Sequence, residues 1–320
     1  MTPVDGASSI HAVVVAFLPE AQPFAELLST LCPQVAAIHV IDNTPVSDVR
    51  VDGWLQELAL PNVHLTRLGD NYGIAKALNV GLDAALRAGA THVLLSDQDS
   101  LPGADMVAGL LSAMLELESQ GRRVAAVGPS FVDHVSTHAY RFQMRRPGRW
   151  FYSNQEPTEA MPHVLTLSLI TSGSLLRAET IRALGSMRED FFIDYVDVEW
   201  SHRALAHGYE LFGTRYASMS HYMGDRTLRV WAGGWRNLSE YSPLRLYYRV
   251  RNFVYMWRLG YVPLGWKIRA SWFWLGESYA HVIFSRARLA SFRMIMRGFW
   301  DGLRGRMGRY PDNQRTFGKP

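Results

Sequence analysis

Hydrophobic and polar positions follow two different patterns along the first 132 residues, and segments with one pattern alternate with segments of the other. Short runs of β-branched and other apolar residues predict buried strands, whereas an apolar residue every three or four positions predicts amphipathic helices. The predicted strands cover 11–17, 36–43, 63–71, 91–99 and 123–132, and the predicted helices cover 24–31, 72–89 and 104–121. Strands that alternate with helices at this spacing favour an α/β fold with a mostly parallel sheet covered on both faces.

The regular alternation of predicted strands and helices ends after position 133. Residues 133–163 are polar, aromatic and rich in proline, and we expect a long surface excursion there. The elements predicted next are a strand over 164–178 interrupted by Ser172, Gly173 and Ser174, a short helix within 191–208 with carboxylates at its start, and a strand over 209–221. From 243 onward the chain is helical, basic and rich in tryptophan.

Several side chains that could bind a ligand end the predicted strands. Asp42 ends the second strand, Asp70 and Asn71 end the third, and Asp97 and Asp99 end the fourth. Ligands of parallel α/β sheets collect at the carboxyl ends of the strands. We therefore expect these side chains to open onto one edge of the sheet.

The segment THVLLSDQDSLPG places Asp97 and Asp99 directly after an apolar run. Side chains alternate along an extended strand, so two carboxylates two residues apart point the same way. Such a pair suits Mg²⁺ or Mn²⁺, which proteins commonly hold with one or two carboxylates and substrate phosphates. The alternative is that the segment is only a turn or the start of a helix, with Asp99 or Ser100 as the cap.

Composition limits the class of protein. The chain has 320 residues, of which 48% are hydrophobic and 19% charged, as in a globular protein with a sizeable core. The single cysteine, Cys32, excludes an internal disulfide framework and a cysteine-rich zinc site. The first twelve residues lack the pattern of a signal peptide, and no apolar stretch reaches the roughly 20 residues of a membrane-spanning helix. We expect a cytoplasmic protein without membrane spans.

The positive charge is concentrated near the C-terminus. Residues 243–309 carry 12 arginines and one lysine but only two carboxylates, although the whole chain has a net charge of only +4. Basic residues beside aromatic and aliphatic ones at helical spacing are typical of helices that lie in a membrane interface. Two alternatives stay open: apolar faces that pack on the rest of the protein beside solvated arginines, and a site for single-stranded nucleic acid.

The order of several motifs resembles glycosyltransferase family 2. VVVAF, IDN, GDNYGIAKALNVG, SDQDS, TSG and FFIDYVDVEWSHRALAHGYEL carry the resemblance over about residues 11–225. The chain is most similar to the bacterial rhamnosyltransferases, which share DNxGIAxAxNxG, DQDS, FIDxVDxE and a segment like DGLRGR. The resemblance implies the GT-A fold, a donor that is deoxythymidine diphosphate (dTDP) L-rhamnose, and an inverting mechanism.

The resemblance also implies roles for individual residues around the donor. Asp42 would meet the pyrimidine edge, Asn71 and Gly73 would close around the nucleotide, and Lys76 would lie near it. Asp97 would approach the ribose or the metal. The expected metal ligands, which would hold Mg²⁺ or Mn²⁺, are Asp99, Asp97 and His221. Arg251 and Asn252 would close over the donor. Ser172 and Gly173 would contact the acceptor.

Inverting transfer needs a base that takes the proton of the acceptor hydroxyl. Three carboxylates compete in FFIDYVDVEW: Asp194, Asp197 and Glu199. The family carries an acidic pair before a short helix, and here Val196 stands at its first position and Asp197 at its second. We predict Asp197 as the base and Asp194 as the runner-up, with Glu199 orienting either one or capping the helix. The alternative is that these acids only stabilise a helix N-terminus.

Together these expectations describe a GT-A catalytic domain at 1–240 and a helical, membrane-interfacial region at 241–320. The nucleotide-sugar half would cover about 11–132 and the acceptor half about 133–240. The acceptor would be a lipid-linked saccharide or glycolipid of cell-surface polysaccharide, O-antigen or rhamnolipid, met at the inner face of the plasma membrane, so nucleic acid is disfavoured as a partner. The alternative is a peripheral membrane or nucleic-acid-binding protein with an inactive nucleotide pocket. The linkage, the choice of metal and the oligomeric state stay open.

Overall fold

A computed structural model describes residues 9–132, 141–145, 152–221, 227–231 and 233–311. The strands and helices, in chain order, are β1 (Ile10–Ala16), α1 (Ala21–Leu31), β2 (Ala37–Asp42), α2 (Arg50–Leu58), β3 (Val63–Arg67), α3 (Ile74–Arg87), β4 (His92–Asp97), β5 (Ser100–Pro102), α4 (Met106–Ser119), β6 (Val124–Val132), β7 (Phe142–Arg145), β8 (Tyr152–Gln155), β9 (His163–Thr166), β10 (Leu175–Arg177), α5 (Ala178–Leu184), α6 (Val196–Ala206), β11 (Glu210–His221), β12 (Thr227–Trp231), β13 (Trp235–Ser239), α7 (Pro243–Met256), α8 (Leu264–Phe284) and α9 (Arg288–Arg304).

The chain divides into two compact units. The sheet unit comprises Met1–Met187 and Trp200–Tyr222, and the C-terminal unit comprises Arg188–Glu199 and Met223–Pro320. The segment with the three candidate bases therefore belongs to the same unit as the C-terminal helices. The expected domain boundary at 240/241 and the expected functional halves at about 11–132 and 133–240 stay predictions.

The sheet unit contains a mixed sheet with the strand order β3-β2-β1-β4-β10-β6-β11-β5. The neighbours from β3 to β4 are parallel, as are β6 and β11, whereas β10 runs antiparallel to β4 and β6. Strands β5 and β9 both pair antiparallel with β11. The predicted α/β class with a mostly parallel sheet is confirmed.

Helices cover both faces of this sheet. On one face, the apolar residues of α1 and α4 form a single core with Ala12, Val14 and Ala16 of β1. On the other face, α3 crosses β1 so closely that a Cβ at Gly81 would overlap the side chain of Val13. Alternate residues of β1 thus face opposite layers, as expected for a buried parallel strand.

Some elements differ from their prediction. The expected strand over 164–178 is two strands, because β9 pairs with β11 whereas β10 lies between β4 and β6. The expected surface excursion over 133–163 contains β7 and β8, which pair antiparallel. Its Phe142 is buried, and the ring occupies the space where a side chain at Gly213 would lie. Residues 133–140 fall outside the described part of the chain.

In the described part of the C-terminal unit, the hairpin β12–β13 is followed by α7, α8 and α9. Helix α9 packs on α7 through two glycines. A Cβ at Gly298 would lie 2.5 Å from the carbonyl oxygen of Tyr247, and one at Gly302 would lie 2.6 Å from that of Arg251. No helix within the described ranges is both long and apolar enough to cross a membrane.

Candidate active site

The carboxyl ends of β1, β2 and β4 meet at one edge of the sheet unit. In the strand register, Ala16 of β1 pairs with Asp42 and Val15 with Asp97, so the two carboxylates flank the end of β1. In the sheet, β2 and β3 lie on one side of β1, whereas the next strand along the chain, β4, lies on the other side. Ligands of open α/β sheets bind in the crevice at such a reversal of strand order. This edge is the candidate ligand site.

Asp42 is held firmly at this edge. It is only 2% exposed, and its Oδ1 accepts a hydrogen bond from the backbone N–H of Thr44 at 3.1 Å. The Arg67 guanidinium lies 3.6 Å from Oδ2. A carboxylate that bonds the backbone two residues on is also a common turn device. Asp42 therefore shapes the end of β2, and its buried carboxylate is fixed there by Thr44 and Arg67.

The loop before α3 is tied to the end of β2 by asparagines. Asn71 Oδ1 accepts from the backbone N–H of Gly73 at 2.9 Å and from Asn43 Nδ2 at 3.2 Å. Asn43 Oδ1 accepts in turn from the backbone N–H of Tyr72 at 2.8 Å. Gly73 has φ +85°, which favours glycine, and α3 begins at the next residue, with Lys76 half-buried in its first turn. Asn43 was not among the residues predicted for the site, although its place after Asp42 at a strand end indicates this edge.

The Asp97–Asp99 segment is a turn. Strand β4 ends at Asp97, and Gln98 and Asp99 form a turn before β5, so the argument from side-chain alternation does not apply to Asp99. Gln98 fixes the turn against β1, because it accepts from the Phe17 N–H at 2.6 Å and donates to the Phe17 carbonyl at 3.1 Å. Both carboxylates are partly exposed. Gln98 was not among the residues predicted for the site.

Ser172 and Gly173 support this turn from inside the sheet unit. Ser172 is buried; its Oγ accepts from the Asp97 N–H at 3.0 Å and lies 2.6 Å from the Ser100 Oγ. Gly173 has φ +79°, and an added Cβ would lie 2.6 Å from the ring of Pro129. These contacts give the two residues a positioning role, and their expected contact with the acceptor stays a prediction.

His221 reaches the same turn through its backbone. It ends β11 and pairs in register with Ser100, the residue after Asp99. Its side chain lies outside the described part of the structure. Among the described side chains, no group of three or more His, Cys, Asp or Glu could hold a metal ion. Two partly exposed carboxylates in one turn still fit the way Mg²⁺ is commonly held, by one or two carboxylates together with phosphate oxygens.

The C-terminal unit contains an unusual backbone segment beside its candidate bases. Phe192, Asp194 and Tyr195 all have positive φ, at 66°, 61° and 65°. Residues with a Cβ adopt this region at a cost of roughly 1–3 kcal/mol each, and they persist there only when their surroundings enforce it. The segment therefore depends on neighbouring side chains to hold this conformation.

Asn252 and Arg251 enforce that shape. Asn252 is fully buried, and its Nδ2 donates to the carbonyl oxygens of Phe191, Ile193 and Asp194 at 2.8–2.9 Å. The Arg251 guanidinium is 1% exposed and donates to the carbonyl oxygens of Phe191 and Gly308. Burial lowers the pKa of Arg251. The expected contact of Arg251 with the donor gains no support from this buried position, and its contacts make it a positioning residue.

Asp194 is part of a buried ionic cluster. Its side chain is 9% exposed, with Arg249 Nη1 at 3.2 Å and Arg245 Nε at 3.4 Å. Arg249 also contacts Glu277 at 3.2 Å. The Asp194 carboxylate raises the pKa of Arg245, and burial raises the pKa of Glu277 although Arg249 opposes it. Protonation of Asp194 would weaken two ion pairs, so this carboxylate is poorly suited to act as the base.

The other two carboxylates begin α6, and they differ in exposure. Glu199 is fully buried, and its Oε1 accepts a hydrogen bond from the Tyr261 hydroxyl, whose pKa is raised chiefly by burial. Asp197 is partly exposed, and its Oδ1 accepts from the Val198 N–H at 2.8 Å. Asp197 is therefore more accessible than Glu199, and its Oδ1 bonds the backbone of α6, whereas the Asp194 carboxylate is paired with two arginines.

Comparison with known proteins agrees with these observations. No family model matches the chain. It is 31% identical over 304 residues to a protein described as dTDP-rhamnosyl transferase RfbF from Shigella flexneri, a match that covers 94% of this chain and 97% of the relative. Its fold is similar to that of GalNAc-T7, solved with UDP, GalNAc and Mn²⁺, at a TM-score of 0.52 and 12% identity. That match covers 67% of this chain and 43% of the other.

The expected GT-A fold is thereby confirmed, because the structural similarity lies with a GT-A glycosyltransferase. The similarity in sequence extends over nearly the whole of both chains, so it includes the sheet unit and the C-terminal unit together. The chain belongs to glycosyltransferase family 2, within the group of bacterial rhamnosyltransferases.

Proposed function

We propose that this glycosyltransferase moves L-rhamnose from dTDP-L-rhamnose to a hydroxyl group of a lipid-linked saccharide or glycolipid, with inversion at the anomeric carbon. The observation that carries the proposal is the edge formed by Asp42, Asn71 and the Asp97–Asp99 turn, in a chain 31% identical to a dTDP-rhamnosyl transferase. The choice of dTDP and of rhamnose rests on that relative.

The sheet unit would bind the donor. The fixed carboxylate of Asp42 can accept a hydrogen bond from the N–H of a pyrimidine ring, while Arg67 and Thr44 hold it in place. Asn71 and Gly73 would close the loop before α3 around the nucleotide, with Lys76 nearby. Asp97 would serve the deoxyribose or the metal ion. The contacts of Asn43 and Gln98 support this assignment, since they hold the two loops in defined conformations.

Asp99 and Asp97 would hold a divalent cation, Mg²⁺ or Mn²⁺, with His221 as a further ligand. When bound, such an ion neutralises the charge that develops on the diphosphate leaving group. The type of ligand supports this assignment, because carboxylate oxygens are hard ligands that suit both Mg²⁺ and Mn²⁺. The structural relative crystallised with Mn²⁺ is consistent with it.

Asp197 would act as the base. It takes the proton of the acceptor hydroxyl while the bond from that oxygen to the anomeric carbon forms and the bond to the diphosphate oxygen breaks. Asp194 and Glu199 would position the segment, because the first is paired with Arg245 and Arg249 and the second with Tyr261. Arg251 and Asn252 would preserve the backbone that carries Asp197.

The C-terminal helices would bring the enzyme to a lipid acceptor at the inner face of the plasma membrane. Helix α8 carries a row of exposed apolar side chains at intervals of three and four residues: Leu264, Ile268, Trp272, Leu275, Tyr279 and Ile283. A helix with such a face, in a strongly basic region, fits a membrane interface. A lipid-borne acceptor gives the enzyme a reason to bind there.

Calorimetric titration with dTDP, UDP and their sugars, in Mn²⁺ and in EDTA, tests the donor site. We expect metal-dependent binding that favours dTDP-L-rhamnose and weakens at least about a hundredfold in Asp99→Asn. Asp105→Asn, which removes an exposed carboxylate from the nearby start of α4, is the control and should bind as the wild type does. A preference for UDP would overturn the rhamnose donor, and no binding would favour a protein with an inactive nucleotide pocket.

A further inference from the structure

A basic cavity lies in the C-terminal unit. Its volume is about 480 Å³, within the range of small-molecule sites, and it lies between α7, α9 and the residues that follow α9. Arg297, Arg304, Arg306 and Arg309 contribute to its lining, together with Trp300 and Asp301. Neither the donor edge of the sheet unit nor the ionic cluster of Asp194 includes any of these residues.

The carboxylate in this lining does not balance the arginines. Asp301 accepts a hydrogen bond from the Tyr247 hydroxyl at 3.0 Å, and it lies 3.8 Å from Arg297 Nε and 3.9 Å from Arg306 Nη1. Burial raises the pKa of Tyr247 to about 12, so its hydroxyl stays neutral. Four guanidiniums and one carboxylate leave a net charge of +3 around the described lining. The four guanidiniums repel one another. An anion with several oxygens would offset this repulsion and could accept paired hydrogen bonds from them.

The surface of α9 indicates which kind of molecule carries that anionic group. Its exposed apolar residues recur every three or four positions along one side of the helix: Leu289, Phe292, Met296, Phe299 and Leu303. Exposed Trp300 joins this row to the cavity that it lines. A soluble anion needs no apolar surface beside its site, whereas the headgroup of a lipid lies next to one. Charge and apolar surface together therefore favour a phosphorylated lipid.

We propose that this cavity binds the diphosphate group of a lipid, the anchor of the acceptor saccharide. The arginines would hold the diphosphate while the apolar row of α9 lies in the membrane interface. This inference rests on the proposed function for the lipid nature of the acceptor. It adds a binding site for the anchor, separate from the residues that bind the donor.

Paired charge-removing variants of the full chain test the site. Arg304→Gln with Arg306→Gln removes two exposed cavity arginines. Arg286→Gln with Arg293→Gln removes two exposed arginines that do not line the cavity. Binding is measured by flotation with phosphatidylcholine vesicles that contain either geranylgeranyl diphosphate or, at the same surface charge, phosphatidylglycerol. Inorganic pyrophosphate and dTDP are titrated separately.

We expect the cavity variant to bind diphosphate vesicles at least about tenfold more weakly, because each lost charge-assisted contact is costly. The control variant should lose no more affinity for these vesicles than for phosphatidylglycerol vesicles. Equal losses in both variants would overturn the site in favour of general surface charge. Pyrophosphate binding as tight as that of the lipid would overturn the lipid assignment, and loss of dTDP binding in the cavity variant would assign the cavity to the donor. Because dTDP binding is measured in the same preparations, failure of the proposed donor chemistry is seen independently of the vesicle result.

Discussion

Three carboxylates within six residues have three different environments. Asp194 is paired with two arginines, Glu199 is buried against Tyr261, and Asp197 is partly exposed. A base must reach its substrate, and it must take up a proton without breaking its own supports. Accessibility therefore favours Asp197 over Glu199, and the two ion pairs of Asp194 count against that residue. The sequence alone ranked Asp197 first only by resemblance, and its surroundings now supply a physical reason.

Replacement of Asp197 should remove catalysis without removing donor binding. For Asp197→Asn we expect kcat to fall about a hundredfold to ten-thousandfold, the usual contribution of a general base, with an unchanged affinity for dTDP. Release of dTDP from dTDP-L-rhamnose with a membrane lipid extract as acceptor measures the rate. Asp194→Asn should instead lower the stability, because it leaves the largely buried Arg249 and the partly exposed Arg245 beside a neutral partner. A full rate in Asp197→Asn would transfer the role of base to another group.

The buried pair Arg251 and Asn252 shows what a residue-level pattern cannot reveal. An arginine in a basic helix has the same sequence signature whether it faces a ligand or the protein interior. These side chains bond the carbonyl groups of a segment in which Phe192, Asp194 and Tyr195 have positive φ angles. No periodicity in the sequence predicts that backbone conformation, since none of these residues is glycine.

At the scale of elements, α7 and α9 depend on glycine for their close approach. Gly298→Ala and Gly302→Ala would each press a Cβ against a carbonyl oxygen of α7. We expect each to destabilise the fold by about 1–3 kcal/mol, the usual cost of overpacking. Gly276→Ala in α8, where an added Cβ meets nothing within 4 Å, should stabilise it by about 0.5–1 kcal/mol. Urea unfolding of the three variants measures these changes, and an equal effect at all three sites would contradict the close packing.

Histidines on adjacent strands make the sheet unit sensitive to acid. His11 Nδ1 lies 3.1 Å from His39 Nε2, and the His64 ring lies 5.7 Å from that of His39. Burial lowers the pKa of His39 from 6.5 to about 4, with smaller contributions from His11 and His64. Burial also lowers the pKa of His92 to about 4, with a smaller contribution from Arg177.

Between pH 6.5 and 4 the unfolded chain therefore binds protons that the folded chain does not, and stability falls as the pH falls. Each such histidine contributes up to about 1.4 kcal/mol per pH unit in this window. Urea unfolding at about pH 7 and pH 5.5 should show a smaller loss for His39→Gln than for the wild type. Exposed His207→Gln is the control and should keep the wild-type loss. A loss in His39→Gln as large as in the wild type would contradict the assignment.

Elements with a local pattern of apolar residues were predictable from the sequence, whereas those defined by contacts between distant residues were not. Strands β1, β2, β4 and β6 and helices α1, α3 and α4 were all predicted within a few residues, because each carries its own local period. Strands β9 and β10 were predicted as one strand. The local pattern does not show that β9 pairs with β11 whereas β10 pairs with β4 and β6. Helix α2 was missed because its single fully buried residue, Val51, leaves little apolar signal. The edge of the sheet was predicted because strand ends converge by topology alone, whereas the details of its turns were not.

At the scale of the whole molecule, the two units differ in the chemistry of their side chains. The sheet unit carries the carboxylates and amides suited to a nucleotide and a metal ion. The C-terminal unit carries the arginines, the exposed apolar rows of α8 and α9, and the candidate bases. A net charge of only +4 conceals this division, because residues 243–309 alone hold 13 basic groups. Binding to an anionic surface should therefore depend on the C-terminal unit and leave donor binding unaffected.

Removal of apolar surface from α8 tests that separation. Trp272→Gln with Leu275→Gln replaces two exposed residues of the apolar row of α8, and Val49→Gln with Leu115→Gln makes the matched change on the sheet unit. Burial of a large apolar side chain is worth about 1.5–3 kcal/mol, so the α8 variant should bind phosphatidylglycerol-containing vesicles at least about tenfold more weakly. The matched variant should bind them as the wild type does, and both should retain dTDP binding. Equal vesicle binding by both variants would show that α8 does not lie in the interface, and charge alone would then have to account for any attraction to the membrane.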